Sequence, residues 1–199
     1  GGSFERTVTR NQFLATEKQY QNFDLRLKLR LTGTGFVNSG IQIRSVRVPN
    51  NTEMSGYQID YGPGWYGKIY DESRRNKVIA DSADPKAVLA AVKPGEWNEY
   101  RILAEGRRIR SWINGVPALD YTEADLNIAT DGKIGIQIHS GGKAEVQVKD
   151  IVIEELPATP ADMTWDKLKS APPSKATEAP KKKDTGYNNV QGLRRSAEE

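Results

Sequence analysis

Hydrophobic residues recur at every second position through most of residues 1–156, the pattern of strands that bury one face. The run FDLRLKLRL (23–31) alternates apolar and charged residues almost without exception. Asn114-Gly115 separates two later runs and is the commonest sequence of a type I′ hairpin turn. Many short strands with regular turns predict an all-β fold, a two-sheet antiparallel sandwich. The other predicted strands are GIQIRSVRV, GYQIDY, NEYRILAE, RIRSWI, PALDY, GKIGIQIH and AEVQVKDIVIEEL.

The composition of the chain changes after Leu156. Before it, only DPKAVLAAV (84–92) predicts a short helix, which Pro94-Gly95 ends. Residues 157–199 are rich in Pro, Ala, Lys and Thr, with one potential helical turn around residues 166–168. Such a segment buries too little apolar surface to offset its ordering entropy. We predict a β-sandwich domain over residues 1–156 and a mostly irregular Pro/Lys-rich linker and tail over 157–199, which can contact a neighbouring domain or protomer.

Charge and hydropathy exclude some partners. The isoelectric point is near 9.0, but eight Lys or Arg and six Asp or Glu after Leu156 give that segment +2 of the chain's net +3. A short basic run in a Pro-rich segment is typical of a solvated linker, so we expect no nucleic-acid partner. No run approaches the roughly 18 consecutive apolar residues of a membrane span. The absence of cysteine excludes disulfides and leaves the cellular compartment open.

Three predicted strands share an unusual polar face. In each, aliphatic residues occupy one side, while the other side carries a glutamine and an ionisable residue. Amide, carboxylate, imidazole and guanidinium groups suit directional hydrogen bonds, such as those to sugar hydroxyls. The alternative is an ordinary solvated face, the default for an antiparallel sandwich. The polar pairs are Gln42 and Arg44, Gln58 and Asp60, and Gln137 and His139.

The stretch YGPGWYGKIYDESRR (61–75) follows directly after Asp60. Its rings Trp65 and Tyr70 can stack on the apolar face of a sugar or close the end of the sandwich. Trp112 is a further candidate platform. We expect the returning segment to bring Tyr70, Asp71 and Arg74 to the same mouth.

His139 is the single histidine of the chain. Imidazole titrates nearest to neutral pH, so His139 is a candidate general base, although a lone histidine is more often structural. No motif has the spacing of metal ligands, so we expect no cofactor. Binding of a divalent ion by His139 with Asp60 or Asp71 is kept as an alternative. The phosphate loop, the dinucleotide fingerprint and the G-x-S-x-G elbow are all absent.

Several stretches, taken in order, resemble the 3-keto-disaccharide hydrolase family, also catalogued as domain of unknown function 1080. They are NSGIQIRS, GYQIDYG…WYGKIYDESRR, GEWNEYRILAEGRRIRSWINGVPALDY and DGKIGIQIH. The resemblance spans about residues 13–156 and implies a concanavalin A-like jelly roll. It also implies a periplasmic or secreted location, because bacteria commonly export members of the family. Members usually begin with a segment like LFDGK…GW…W.VEDG, so we expect a first strand or two to be missing here or supplied by another segment, such as the tail.

The resemblance implies an enzyme that cleaves glycosides whose C3 hydroxyl has been oxidised to a ketone. The ketone acidifies the C2 proton; removal of that proton gives an enolate that expels the C1 substituent, and water then adds back. Such a site needs a base at C2, a donor for the enolate oxygen and an acid for the leaving oxygen.

Side chains of the polar face can be matched to these roles. His139 or Asp60 would be the base, Arg44 would stabilise the enolate, and Tyr70 or Asp71 would be the acid. A lectin-like carbohydrate-binding module and a purely structural sandwich are the alternatives, but neither needs a base. The predicted substrate-binding side chains are Gln42, Gln58, Gln137, Trp65, Trp112 and Arg74.

Overall fold

The computed structural model describes residues 8–170, and within that range the chain forms two antiparallel β-sheets and two short helices. The strands are β1 (Gln12–Ala15), β2 (Phe23–Gly35), β3 (Ser39–Arg47), β4 (Met54–Tyr61), β5 (Ile69–Glu72), β6 (Val78–Ala80), β7 (Asn98–Glu105), β8 (Arg108–Ile113), β9 (Val116–Thr122), β10 (Lys133–Ile138) and β11 (Gly142–Glu155). The six-stranded sheet has the order β1-β10-β3-β4-β5-β6 and the five-stranded sheet the order β11-β2-β7-β8-β9. The predicted all-β sandwich is confirmed.

The hydrophobic core lies between the two sheets and follows from the alternation of the sequence. Leu27 and Leu29 of β2 point inwards from one sheet, and Ile41 and Ile43 of β3 point inwards from the other. Each buried aliphatic side chain contributes about 1.5–3 kcal/mol to the free energy of unfolding. The alternate residues of β3, β4 and β10 therefore face away from this core.

Local sequence signals set the turns and the first helix. Helix α1 (Pro85–Ala91) begins after Asp84, whose Oδ1 accepts a hydrogen bond from the backbone nitrogen of Ala87 at 3.0 Å. Pro85 at its first position has no backbone donor to lose. Between β8 and β9, Asn114 and Gly115 both have positive φ, as a type I′ turn requires. Both predicted elements are confirmed.

Residues 157–170 pack on the sandwich. The side-chain amide of Asn22 donates to the carbonyl of Pro157 at 2.7 Å and to Thr159 Oγ1 at 2.9 Å. The indole of Trp165 donates to the carbonyl of Arg44 at 3.2 Å, and Trp165 opens helix α2 (Trp165–Ser170), at the predicted helical turn. Specific hydrogen bonds, which composition does not reveal, hold this segment in place. It adds no strand to either sheet within residues 157–170.

Two expectations about the chain concern its tail and the membrane. The basic run at 181–183 and most of the tail, predicted over 157–199 to contact a neighbour, lie outside the described part of the chain. Neither helix in residues 8–170 has the length and apolar character to cross a bilayer.

Candidate functional site

A pocket of about 230 Å³ opens on the face of the six-stranded sheet that points away from the core. It combines side chains of β4 and β5, the turn between them, and loop residues next to β1, β2, β3 and β10. Five predicted site residues line it: Gln58, Asp60, Trp65, Tyr70 and His139. Four others were not predicted: Asn11, Phe36, Asn38 and Glu72.

Asp60 is the most deeply buried ionisable group in the pocket, with 2% of its surface exposed. Its Oδ1 accepts a hydrogen bond from Gln58 Nε2 at 2.7 Å, and Oδ2 has no partner among the described residues. Burial raises the pKa of Asp60 to about 7; the Gln58 hydrogen bond opposes this rise, nearby Glu72 adds to it, and Lys68 opposes it. A carboxylate with this pKa is matched to proton transfer near neutral pH.

An amide chain holds Asp60 in place. Gln58 Nε2 also donates to Gln137 Oε1 at 3.1 Å, so both amide protons of Gln58 are used within the protein. The Gln58 side chain crosses β3 above Gly40, where an added Cβ would lie 2.8 Å from Gln58 Cγ. Gln58 therefore has no amide proton left for a ligand, and its Oε1 is buried without a partner among the described residues. The Nε2 donor of Gln137 is buried and has no partner in the described chain.

Gln42 lies on the same face but does not line the pocket. It is fully buried, and neither polar atom of its side chain has a partner among residues 8–170. The sulfur of Met54 occupies the space above Gly135, beside Gln42. The predicted polar face therefore exists, but much of it is covered.

His139 and Asn11 form the β10 side of the pocket. His139 Nδ1 lies 2.6 Å from the carbonyl oxygen of Ser140, which can only accept, so Nδ1 carries a proton. The Phe36 ring packs edge-on against the imidazole, with 4.7 Å between ring centroids. Asn11 Oδ1 accepts from the backbone nitrogen of Ser140 at 3.0 Å, and its Nδ2 donates to no other residue of the range 8–170.

Tyr70 and Glu72 form the β5 side of the pocket. Burial raises the pKa of Glu72 to about 6, and Glu53 adds to the rise. Burial, and then the charges of Glu72 and Asp60, raise the pKa of Tyr70 above its ordinary value. Trp65 meets Tyr70 edge-on at 6.4 Å between centroids, so the two rings form one wall.

The predicted placement of Asp71 and Arg74 at this mouth is wrong. Because side chains alternate along β5, Asp71 points to the face opposite Tyr70 and is fully buried there. Arg74 Nε donates to Asp71 Oδ1 at 2.7 Å, and Arg75 bridges Asp71 to Glu123. Both residues belong to a structural ion-pair network. The same alternation, applied from Tyr70, would have identified Glu72.

The predicted placement of Arg44 beside Asp60 is also wrong. Arg44 has a φ of 51°, and the register of β3 with β4 shifts between Ile43 and Val46, which marks a bulge. The bulge directs its guanidinium to the segment before β2, where it donates twice to the carbonyl of Gln21, at 3.0 and 2.7 Å. Burial lowers the pKa of Arg44 to about 10. Arg44 therefore has a structural role: its guanidinium binds the segment before β2.

Trp112 lies on β8 in the other sheet, so its predicted role as a platform in this site is wrong. The guanidinium carbon of Arg101 lies 4.8 Å from its ring centroid. Alternation assigned Trp112 to an outward face, but it could not say which sheet that face belongs to. Loop residues Asn11, Phe36 and Asn38 carried no periodic signal at all.

No metal centre can be assigned in the described part of the chain. Among residues 8–170, no three His, Asp or Glu side chains converge as the ligands of an ion do. Asp60 and Glu72 are the carboxyl groups that line the pocket.

Comparison with solved structures finds the same fold in two carbohydrate-related proteins and in a protein of unknown function. A CBM66 carbohydrate-binding module from Bacillus subtilis is 15% identical, with a TM-score of 0.56 over 74% of this chain and 84% of that one. A putative glycosyl hydrolase from Parabacteroides distasonis is 20% identical, with a TM-score of 0.54 over 74% and 84%. A Bacillus subtilis protein of unknown function with a galectin-like fold is 13% identical, with a TM-score of 0.54 over 74% and 80%. At these identities the likeness shows the fold alone.

No curated protein sequence matches the chain significantly. Residues 2–154 match the family described as the 3-keto-alpha-glucoside-1,2-lyase-like domain. The match includes nearly all of the sandwich. This is the family that the sequence motifs predicted under the name 3-keto-disaccharide hydrolase. The chain therefore belongs to the 3-keto-alpha-glucoside-1,2-lyase-like family.

Proposed function

We propose that this domain cleaves the glycosidic bond of 3-keto-glycosides by removal of the C2 proton, expulsion of the C1 substituent and hydration of the product. One observation carries the proposal: the pocket holds a buried carboxyl group, Asp60, which within residues 8–170 has no cation partner and one oxygen without a hydrogen bond. A site that only binds sugar can use neutral hydrogen-bonding groups, which cost less to bury. A site that removes a proton from carbon needs a base such as this carboxyl group.

Asp60 is the preferred base, and His139 is the alternative. Gln58 fixes one oxygen of Asp60, so the other oxygen has a defined direction. With Arg44 outside the pocket, the enolate oxygen must rely on neutral donors. Asn11 Nδ2 is such a donor, because its amide is oriented by Ser140.

A lectin-like carbohydrate-binding module is the second candidate. Phe36, Trp65 and Tyr70 line the pocket, and Phe36 is 45% exposed. Aromatic rings at the rim of a pocket suit stacking on the apolar face of a sugar. The same pocket could then hold a glycan without reacting.

The experiment that tests the proposal follows release of p-nitrophenol from both anomers of p-nitrophenyl 3-keto-glucoside. The wild type, Asp60→Asn and His139→Gln are compared with Asp120→Asn, a matched change on the other sheet, where Asp120 pairs with Arg108. We expect release by the wild type and the control, and a loss of about 10²–10⁴-fold in Asp60→Asn. Saturable sugar binding by the wild type without any release would support the lectin-like module instead. A loss confined to His139→Gln would make His139 the base.

We propose that the reaction needs no added cofactor, because side chains supply the base and the donors. Dialysis against EDTA should leave the rate unchanged. A loss that a divalent cation restores would place a metal ion in the mechanism.

We also propose that the domain acts outside the cytoplasm, as the family resemblance implies, on an oxidised sugar or glycoside. Fractionation of bacteria that express the full-length protein tests this location. Contact of the tail with a neighbouring domain or protomer is likewise proposed, and cross-linking from residues 171–199 tests it.

A further inference from the structure

We infer that Glu72 is the general acid that protonates the leaving glycosidic oxygen, an assignment that rests on the proposed function. Glu72 shares one face of β5 with Tyr70, and both side chains line the pocket that contains Asp60. None of the salt bridges found in residues 8–170 involves Glu72. No cation of the described chain therefore holds its carboxyl group permanently ionised.

The order of the strands matches the order of the reacting atoms. Asp60 lies on β4, Glu72 on the neighbouring β5, and His139 and Asn11 on the opposite side, next to β10 and β1. In the sugar, C2 lies between C1, which carries the leaving group, and C3, which carries the ketone. A base at C2 therefore places the acid and the enolate donor on opposite sides of it. By strand order, Glu72 lies on the β5 side of Asp60, opposite Gly56 in the β4–β5 register, and Asn11 lies on the β10 side.

Depth in the pocket supports the same orientation. The pocket, at about 230 Å³, is smaller than the roughly 300–1,000 Å³ of sites for larger ligands, so it suits one sugar ring. The leaving group must then project towards solvent. Asp60 is buried, whereas Glu72, which lines the same pocket, is only partly buried. The reacting C2 would meet Asp60, while the leaving oxygen would meet Glu72.

The proton and electron balance of the cycle closes with these two carboxyl groups. Asp60 Oδ2 takes the C2 proton, the C2–H electron pair becomes the C1–C2 double bond, and the C1–O pair leaves with the oxygen. That oxygen takes the proton of Glu72. Water then adds at C1 and gives a proton to the Glu72 carboxylate, while Asp60 returns its proton to C2. One water is consumed, and the products are a 3-keto sugar and an alcohol.

Glu72 is better suited to this role than its neighbour Tyr70. The pKa of Glu72 is raised by burial to about 6, whereas that of Tyr70 is raised above its ordinary value near 10. Burial favours the neutral form of Glu72, which is the form that can donate a proton. A sugar that excludes water from Glu72 favours its neutral form further.

The dependence of the rate on the leaving group tests the assignment. Departure of p-nitrophenolate needs little help from an acid, whereas departure of methoxide needs a proton. Glu72→Gln should therefore reduce methanol release from methyl 3-keto-glucoside by about 10²–10⁴-fold and change p-nitrophenol release by less than about fivefold. Glu105→Gln is the matched control, because Glu105 pairs with Arg110 on the other sheet.

Hydrogen exchange at C2 separates the acid from the base. In D₂O, Glu72→Gln should still exchange the C2 hydrogen of methyl 3-keto-glucoside, because Asp60 is intact, yet release little methanol. An equal loss for both leaving groups, or methanol release at the wild-type rate, would overturn the assignment.

A measurement on the wild type avoids any dependence on the folding of the variant. With a working acid, the methyl and p-nitrophenyl substrates should react at comparable rates. A rate that falls steeply as the leaving group becomes more basic would also overturn the role of Glu72. If the wild type releases neither alcohol, the proposed function itself fails.

Discussion

Replacing Asp60 with asparagine should stabilise the fold at pH 8 and leave its stability nearly unchanged at pH 4. The folded state raises the pKa of this buried carboxyl from an ordinary value near 3.9 to about 7. Between these values the native state binds more protons than the unfolded state, so the free energy of unfolding falls as pH rises and levels off above pH 7. Three pKa units correspond to about 4 kcal/mol at most.

Asparagine removes this cost with little change in shape. Its side-chain oxygen can still accept the hydrogen bond of Gln58, while the charge is gone. The variant should therefore gain up to about 4 kcal/mol at pH 8 relative to the wild type. For a chain of this size, that gain raises the melting temperature by about 10 °C.

Urea unfolding of both proteins at pH 4, 6 and 8 measures the effect. The difference between them should grow from near zero at pH 4 to its full value at pH 8. Asp120→Asn is the control: Arg108 lowers the pKa of Asp120, so this change should give no gain at pH 8. A difference for Asp60→Asn that does not vary with pH would show that the Asp60 charge is not disfavoured, and would remove the physical basis for a base of this kind.

Three further predictions concern the support of the site. Gln58→Met removes the donor that lowers the pKa of Asp60, so that pKa should rise by about 1–2 units. The acidic limb in the pH profile of kcat/KM should then move to higher pH by the same amount. A limb that does not move would contradict the role of Gln58. Gly40→Ala puts a methyl group 2.8 Å from Gln58 Cγ. We expect the same shift of the acidic limb of kcat/KM, together with a loss of about 1–3 kcal/mol in the free energy of unfolding measured in urea. A variant that changes neither quantity would show that the amide chain is free to move. Asn22→Ala removes the hydrogen bonds that hold Pro157 and Thr159, so limited proteolysis should cleave residues 157–170 faster. The free energy of unfolding should fall by about 1–3 kcal/mol. Cleavage at the wild-type rate would mean that other contacts are sufficient to hold the segment.

The sequence alone determined which side of its own strand a residue occupies wherever the strand is regular. Tyr57 and Ile59 are in the core, and Gln58 and Asp60 are on the opposite face, as alternation predicted. It also determined the turn at Asn114-Gly115, which requires residues that tolerate positive φ. These features follow from backbone geometry over a few neighbouring residues, so the local pattern is sufficient.

Only the tertiary structure decided which side chains lie next to the polar face of β3, β4 and β10. A bulge in β3 turned Arg44 away from the pocket, and membership of the other sheet removed Trp112. Met54 fills the space above Gly135 beside Gln42, and Gln42 is fully buried, so part of the predicted polar face is covered. The raised pKa of Asp60 follows from the burial of its own carboxyl group and from the charge of nearby Glu72. Strand register, bulges and covering side chains depend on contacts between distant segments, which no local period encodes.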